Sequence, residues 1–178
     1  MDIGVISMRY ARALLLSSLS EKNEDVVYRE MCTLAKSFID VPQIRDVIDN
    51  PMLSAEKKIH ILVTACGGSP SPLTVTFLKL VLKEDREKML QFMANSYVTL
   101  YRKRKGLIPG KLITAVAVSP QTENKVRQMV EKRTHGTVEF QTEVDPDIIG
   151  GFILEYDTYR LDESVKTRLR TVLSALKK

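Results

Sequence analysis

The sequence predicts an α+β protein built in more than one part, with an N-terminal six-helix bundle over residues 1–105 and a small C-terminal α/β sandwich domain over residues 106–178. Two observations predict it. Up to Lys105, apolar residues recur at spacings of three and four, which is the helical period. After Gly106 the period changes to two, which is the period of a strand. The short connections between the helical segments are typical of an antiparallel bundle.

Two of the six predicted helices carry more apolar surface than one buried stripe needs. The first covers Ile3–Leu19, and the fifth begins at Ser71-Pro72 with an N-cap serine and a first-turn proline. A surface helix usually has an apolar stripe about 100° wide, and both of these are wider. Such a helix either lies centrally in the bundle or offers a second apolar face to a partner helix. The residue pattern leaves both alternatives open.

The other four helices have ordinary single stripes. The second follows Asn23 as N-cap, the third is the short segment Gln43–Asp49, Ser54 caps the fourth, and the sixth runs over residues 86–105. Gly67-Gly68 ends the fourth helix, because glycine is favoured just past a helix. The predicted inner face of that fourth helix contains Ala55, Ile59, Leu62, Val63 and Cys66.

The C-terminal part begins with a predicted strand over Leu112–Val118, whose continuous apolar run indicates a strand covered on both faces. Ser119-Pro120 starts a helix that ends at His135-Gly136. Thr137–Val144 then alternates and predicts a strand with one solvated face. The inner positions of this helix and strand are predicted to be Val126, Met129, Val130, Val138, Phe140 and Val144.

The last thirty residues predict a hairpin and a terminal helix. Asp145-Pro146-Asp147 is a turn, and Gly150-Gly151 marks either a positive φ angle or a close backbone approach. Strands over Phe152–Tyr156 and Thr158–Leu161 flank a tight turn at Asp157. Asp162 or Ser164 caps the helix, whose inner face is predicted to contain Val165, Leu169, Val172, Leu173 and Leu176.

Composition excludes several classes of protein. Apolar runs such as Ala13–Leu16 fall far short of the roughly 20 residues of a membrane-spanning helix. The N-terminus has no long apolar core, so we expect no signal peptide. Cys32 and Cys66 lie within apolar helical patterns and are predicted to be buried thiols in a reducing compartment.

Nothing in the sequence predicts a catalytic residue, a cofactor, a metal or a small-molecule substrate. His60 and His135 are far apart and lack neighbours at ligand spacing. The segment Gly106–Lys111 departs from a phosphate-binding loop, because its spacing is one residue short, Leu112 replaces the hydroxyl residue, and the strand follows it.

A basic helix end supports one alternative function. The net charge is +5, and Arg102–Lys105 lies beside Tyr97 and Tyr101, so a nucleic-acid- or membrane-surface-binding adaptor is possible on charge and stacking grounds. A solvated helix end that complements the helix dipole explains the same residues and is favoured. We therefore expect no nucleic-acid partner.

Three segments resemble the delta subunit family of F-type ATP synthases, which includes the mitochondrial oligomycin-sensitivity-conferring protein. Met8–Leu14 (MRYARAL) is similar to the first-helix signature of the family, and Leu78–Arg86 (LKLVLKEDR) to the end of its fifth helix. Val144–Leu169 is similar to its long C-terminal signature. The chain departs from the family at Asp157-Thr158, where Gly-Asp is common, and at Glu163, where glycine often precedes the serine.

The resemblance implies a non-catalytic stator in the peripheral stalk, at the cytoplasmic face of a bacterial inner membrane and in contact with the membrane only through the complex. It implies that the helical part binds the N-terminal helix of an alpha subunit between its first and fifth helices. It also implies that the C-terminal part binds the stalk b subunit. The residues expected to line the groove for the alpha-subunit helix are Tyr10, Ala13, Leu14, Phe77, Leu78 and Val81.

Overall fold

The computed structural model describes residues 3–134, 137–156 and 158–176. The chain forms two compact units that divide between Arg104 and Lys105. The first is helical, and the second contains a small four-stranded mixed sheet with helices, which confirms the predicted fold class. The predicted helix end at His135-Gly136 and the turn residue Asp157 lie outside the described residues.

Short segments connect the helices of the first unit, and each helix has an apolar face in a common core. A 3₁₀ turn, Glu87–Met89, precedes the last of them, so the predicted sixth helix begins as two elements. The helices are α1 Ile3–Ser20, α2 Glu24–Asp40, α3 Gln43–Asp49, α4 Ala55–Ala65, α5 Pro72–Lys83 and α6 Leu90–Lys105.

Local hydrogen bonds define the end of α4 and the start of α5. Gly68 has a φ of +88°, and its amide donates to the Val63 carbonyl at 3.0 Å, so the last turn of α4 closes as predicted. The Ser71 hydroxyl accepts from the Thr74 amide at 3.4 Å, the predicted N-cap of α5. Asn23 and Ser54 occupy the predicted N-cap positions of α2 and α4, but neither side chain accepts a capping hydrogen bond.

The buried face of α4 is rotated from the predicted one. Leu62 and Cys66 are buried as expected, whereas Ala55 is exposed and Lys58 is buried. Lys58 is tolerated there because its ammonium nitrogen lies 2.7 Å from a Glu87 carboxylate oxygen. The predicted inner face does not include Lys58 and does include Ala55, so the predicted stripe is misplaced.

A buried carboxylate fixes the start of α5 against α2. Glu30 accepts hydrogen bonds from the Ser71 amide at 2.6 Å and the Ser71 hydroxyl at 2.9 Å. It accepts a third from the Thr74 hydroxyl at 2.5 Å. Hydrogen bonds to a charged acceptor are stronger than those to a neutral one. A carboxylate at a helix N-terminus also interacts favourably with the positive end of the helix dipole. The N-terminal end of α5 is therefore held in one position.

The second unit is a sheet of order β2-β1-β3-β4. β1 and β2 are parallel and α7 makes the crossover between them, while β3 is antiparallel to both β1 and β4. Its buried core consists of Leu112, Val130, Val138, Leu154 and Tyr156. The elements are β1 Leu107–Thr114, α7 Pro120–Thr134, β2 Thr137–Val144, β3 Phe152–Tyr156, β4 Tyr159–Asp162 and α8 Val165–Leu176.

The predicted first strand, Leu112–Val118, is displaced from the observed β1. The strand begins five residues earlier and includes Pro109 and Gly110, which lie outside the predicted strand. Gly110 is required there because a Cβ atom would lie 2.7 Å from the Phe140 ring on β2. Pro109 lies in the part of β1 that pairs with β2 only, where a missing amide donor is tolerated.

The Gly-Gly segment precedes β3 and packs against the start of α8, where the Val165 amide donates to the Gly150 carbonyl at 3.0 Å. Gly151 has a φ of +75°, and a Cβ atom there would lie 2.2 Å from the Glu163 carbonyl oxygen, so both predicted reasons for glycine apply. Ser164 accepts from the Thr167 amide at 3.2 Å and caps α8. Asp162 accepts from the Ser164 amide at 3.0 Å, so both predicted candidates contribute.

The apolar face of α8 is not buried among the described residues, contrary to the prediction. Its members are between 37% and 79% exposed. Val144 and Met129, also predicted to point inward, are each 49% exposed. The exposed α8 face, called the α8 stripe below, consists of Val165, Leu169, Val172, Leu173 and Leu176.

Candidate protein-binding groove

An apolar groove of about 320 Å³ runs between α1 and α5. Lining positions recur at spacings of three and four on both helices, so each helix contributes a ridge along the groove. Ridges of this kind accept the side chains of a third helix between them. The lining residues are Arg9, Tyr10, Ala13, Leu14 and Ser17 from α1, with Leu73, Thr76, Phe77 and Leu80 from α5.

Four of the six predicted groove residues line it, namely Tyr10, Ala13, Leu14 and Phe77. The other two, Leu78 and Val81, are 0% exposed, because they lie on the face of α5 that packs into the bundle core. The groove therefore does not include them.

Sequence reasoning missed the rest of the α5 ridge. Leu73 and Leu80 lie four residues before and three residues after Phe77, which places all three on one face of α5. This spacing could have identified them. Because α5 is apolar on several sides, its residue pattern does not by itself distinguish the core face from the groove face.

One end of the groove is fixed by an aromatic pair and a cation. The rings of Tyr10 and Phe77 meet edge to face, with centroids 6.5 Å apart. Arg86 donates to the Tyr10 hydroxyl at 3.1 Å, and its guanidinium carbon lies 5.3 Å from the ring centroid. Arg86 reaches this position because Asp85 has a φ of +51°, which turns the chain back at the end of α5.

The groove is open in the described part of the chain. Leu80, on its α5 wall, is 47% exposed, and Ala13 on the α1 wall is also exposed. An apolar groove with exposed aliphatic walls is the surface that an amphipathic helix covers in helix-in-groove recognition. This observation distinguishes α1 and α5 from helices that lie fully inside a bundle.

The basic helix end lacks the aromatic surface that base stacking requires. Tyr97 is 0% exposed, and its hydroxyl lies 3.0 Å from that of Ser18. Burial raises the pKa of Tyr97 to about 12. Tyr101 is buried and stacks on Tyr28 with centroids 4.1 Å apart, while Arg102 donates to the Tyr28 hydroxyl at 3.0 Å. These tyrosines are part of the core, so among the described residues neither of them offers a base-stacking surface beside the cations.

The described residues offer no alternative chemical site. No group of His, Cys, Asp or Glu among them could hold a metal ion. Cys66 is buried, and burial together with the nearby Glu30 charge raises the pKa of its thiol to about 12, which keeps it protonated and unreactive. Cys32 is half-buried. None of the described helices is long and apolar enough to cross a lipid bilayer.

The fold is thus a helical unit with an open apolar groove, followed in the chain by a small α/β unit. Residues 6–176 match the family model described as ATP synthase delta (OSCP) subunit. The chain belongs to this family.

Similar proteins match nearly the whole length of the chain. The chain is 49% identical over 173 residues to the ATP synthase subunit delta of Phocaeicola vulgatus, covering 97% of this chain and 94% of that protein. It is 45% identical over 174 residues to the subunit delta of Bacteroides fragilis, with the same coverage. A chain in the Toxoplasma gondii mitochondrial ATP synthase hexamer shares the fold, with a TM-score of 0.64, 23% identity and 97% coverage of both chains.

The family confirms the resemblance found in the sequence. The chain is a non-catalytic, structural subunit of the peripheral stalk of an F-type ATP synthase, and its partners are other subunits of that complex. The prediction that it is not an enzyme is therefore confirmed.

Proposed function

We propose that the chain is a stator that links the catalytic head of the ATP synthase to its membrane sector. By resisting rotation of the head, it keeps proton flow coupled to ATP synthesis. Such a role needs tight static contacts at two places and no chemistry. The open groove between α1 and α5 is the observation that supports it best.

The first contact is with the catalytic head, through the N-terminal helix of an alpha subunit bound in the groove. The apolar lining, the two helical ridges and the exposed Leu80 wall support a helical ligand. The fixed Tyr10–Phe77 pair supports a preformed site, which lowers the entropy lost on binding.

The second contact is between the C-terminal unit and the peripheral-stalk b subunit. The exposed α8 stripe supports this contact, because a soluble surface rarely leaves so many large aliphatic side chains on one helix face. The bacterial relatives support a location at the cytoplasmic face of the inner membrane, reached through the complex.

Titration of the full chain with a peptide of the alpha-subunit N-terminal segment tests the groove. Leu80→Asp should weaken binding about tenfold to hundredfold, since burying a leucine side chain contributes about 1.5–3 kcal/mol. Ile39→Asp is the matched control, because Ile39 is an exposed aliphatic residue on α2 outside the groove. Circular dichroism checks that both variants keep the fold.

The control should bind the peptide as the parent chain does. Equal affinities for the parent chain and a folded Leu80→Asp variant would contradict binding in the groove.

A further inference from the structure

We propose that the groove selects a helix whose apolar stripe is bordered by carboxylates, so that its partner segment is an acidic amphipathic helix. This inference rests on the proposed function, since it specifies the chemistry of the helix that the groove binds. It is carried by the charges of the two helices that form the groove.

Neither groove helix contains an acidic residue. The chain has 22 Asp and Glu residues, and none of them lies in Ile3–Ser20 or Pro72–Lys83. The charged residues of α1 and α5 are all cations, namely Arg9, Arg12, Lys79 and Lys83.

The four cations lie on the flanks of the two groove helices, and Arg9 is the one of them that is among the lining residues. Arg12 lies farther out on the same flank of α1 as Arg9. On α5, Lys79 and Lys83 follow the lining residue Thr76 by three and seven positions. They therefore lie on the same side of the helix as Thr76, about one and two turns farther along it. All four side chains are exposed. An apolar floor thus has positive charge on both flanking helices, whose cation-bearing flanks are called the rims below.

These cations have no carboxylate partner in the described part of the chain. The helical unit contains the buried Lys58–Glu87 ion pair, whereas the Arg9, Arg12, Lys79 and Lys83 side chains make no salt bridge or hydrogen bond to any described residue. A helix bound between them would bring its flanking residues within a few ångströms of the rims. Carboxylates there would be attracted, and lysines would be repelled.

The apolar lining of the groove indicates which class of anionic partner fits between the cations. A nucleic acid or an anionic lipid surface would meet the cations but would leave the aliphatic walls at Leu73 and Leu80 without a matching ligand. An amphipathic helix covers the floor with its apolar stripe and places its flanking side chains at the rims. Charges arranged in this way chiefly affect association rate and partner choice.

Two synthetic helical peptides with an identical leucine and alanine stripe test the inference. One carries Glu and the other Lys at the flanking positions, and each is titrated against the full chain by fluorescence anisotropy. At 0.05 M NaCl the Glu peptide should bind about threefold to tenfold more tightly than the Lys peptide. At 0.5 M NaCl this preference should shrink, because salt screens exposed charges.

Charge reversal on the α1 rim supplies the second arm. Arg9→Glu/Arg12→Glu should abolish or invert the preference between the two peptides. Lys36→Glu/Lys57→Glu makes the same change in net charge at exposed residues of α2 and α4, outside the groove, and should leave the preference unchanged.

The outcomes separate this inference from the function on which it rests. Equal binding of both peptides at low salt, weakened by Leu80→Asp, would overturn the acidic partner and leave the groove intact. An equal effect of the two double variants, or stronger binding to anionic vesicles than to the Glu peptide, would also overturn it. If neither peptide nor the alpha-subunit segment binds, the proposed groove function fails as well.

Discussion

Lys58 and Glu87 show how a single ion pair fixes one edge of the helical unit. Lys58 lies on α4 and Glu87 in the turn before α6, and both side chains are largely buried. Burial by itself disfavours the ionised carboxylate. The hydrogen bond and charge of Lys58, with a backbone hydrogen bond, outweigh it and lower the pKa of Glu87 below its ordinary value of 4.5. The folded state therefore favours the ionised form.

Glu87→Gln should reduce the free energy of unfolding by about 3 kcal/mol at pH 7, because it leaves a buried lysine without its counter-ion. A carboxyl group whose pKa is lowered on folding stabilises the protein above its unfolded pKa. That contribution disappears as the pH falls through the lower folded value. The difference between parent and variant should thus be full above about pH 4.5 and shrink below it. Urea unfolding across this pH range measures it.

Exposed Glu56 on α4 provides the matched control. Glu56→Gln should change the free energy of unfolding by less than about 0.5 kcal/mol, as surface substitutions usually do. A Glu87→Gln difference that stays constant down to pH 3 would show that the Glu87 charge does not stabilise the fold.

At the scale of helices, the end of α5 shapes the groove through Arg86 and Tyr10. Arg86→Met removes both the hydrogen bond to the Tyr10 hydroxyl and the cation above its ring. We expect it to weaken alpha-peptide binding about threefold to tenfold, since an exposed cation–π contact contributes about 0.5–1 kcal/mol and a hydrogen bond about 1 kcal/mol. Calorimetric titration of the full chain measures the change.

A double-mutant cycle distinguishes positioning from direct contact. If Arg86 acts through Tyr10, Arg86→Met should have little further effect on affinity in a Tyr10→Ala background. Arg86→Lys, which keeps the charge and one donor, should recover part of the loss. Full additivity of the two substitutions would contradict the positioning role.

The elements most accurately predicted from sequence are those with strong local signals. The predicted first helix matches α1 to within one residue, and α3 and β2 have their predicted bounds, because period and flanking residues agreed. β1 was displaced because its first half carries Pro109 and Gly110, whose suitability depends on one-sided pairing and on the Phe140 ring. These causes lie in β3, which does not pair with Pro109, and in β2, which carries Phe140, and a local pattern contains neither strand.

The sequence predicted the position of the candidate groove but only some of the residues that line it. The surplus of apolar positions on α1 and α5 is visible in the sequence, but the direction in which each one points depends on packing against α2. Leu78 and Val81 were assigned to the groove although they fill the core, while Leu80 was left out. On a helix that is apolar on several sides, composition does not distinguish these faces.

At the scale of the whole molecule, the described residues include two exposed apolar surfaces, the groove in the helical unit and the α8 stripe in the α/β unit. If the chain links the catalytic head to the stalk as proposed, both surfaces must be occupied at once. When one contact is made, the second becomes intramolecular and is favoured by a high effective concentration. Loss of either surface should therefore break the linkage, and the remaining contact then holds with its own affinity alone.

Leu169→Asp/Leu173→Asp in the full chain should uncouple the ATP synthase without releasing the chain from the catalytic head. Each leucine is about half exposed, and an aspartate at either position would be desolvated without a partner if a stalk subunit covers the stripe. After reconstitution with membranes depleted of the native subunit, ATP-driven proton pumping should fall sharply while ATP hydrolysis continues.

Val116→Asp, at an exposed aliphatic residue of the same unit, is the control and should restore pumping fully. Full pumping with the double variant would exclude the α8 stripe as the stalk contact. If the double variant lost both pumping and binding to the catalytic head, a folding defect would be the cause, and thermal unfolding of the purified variant detects such a defect.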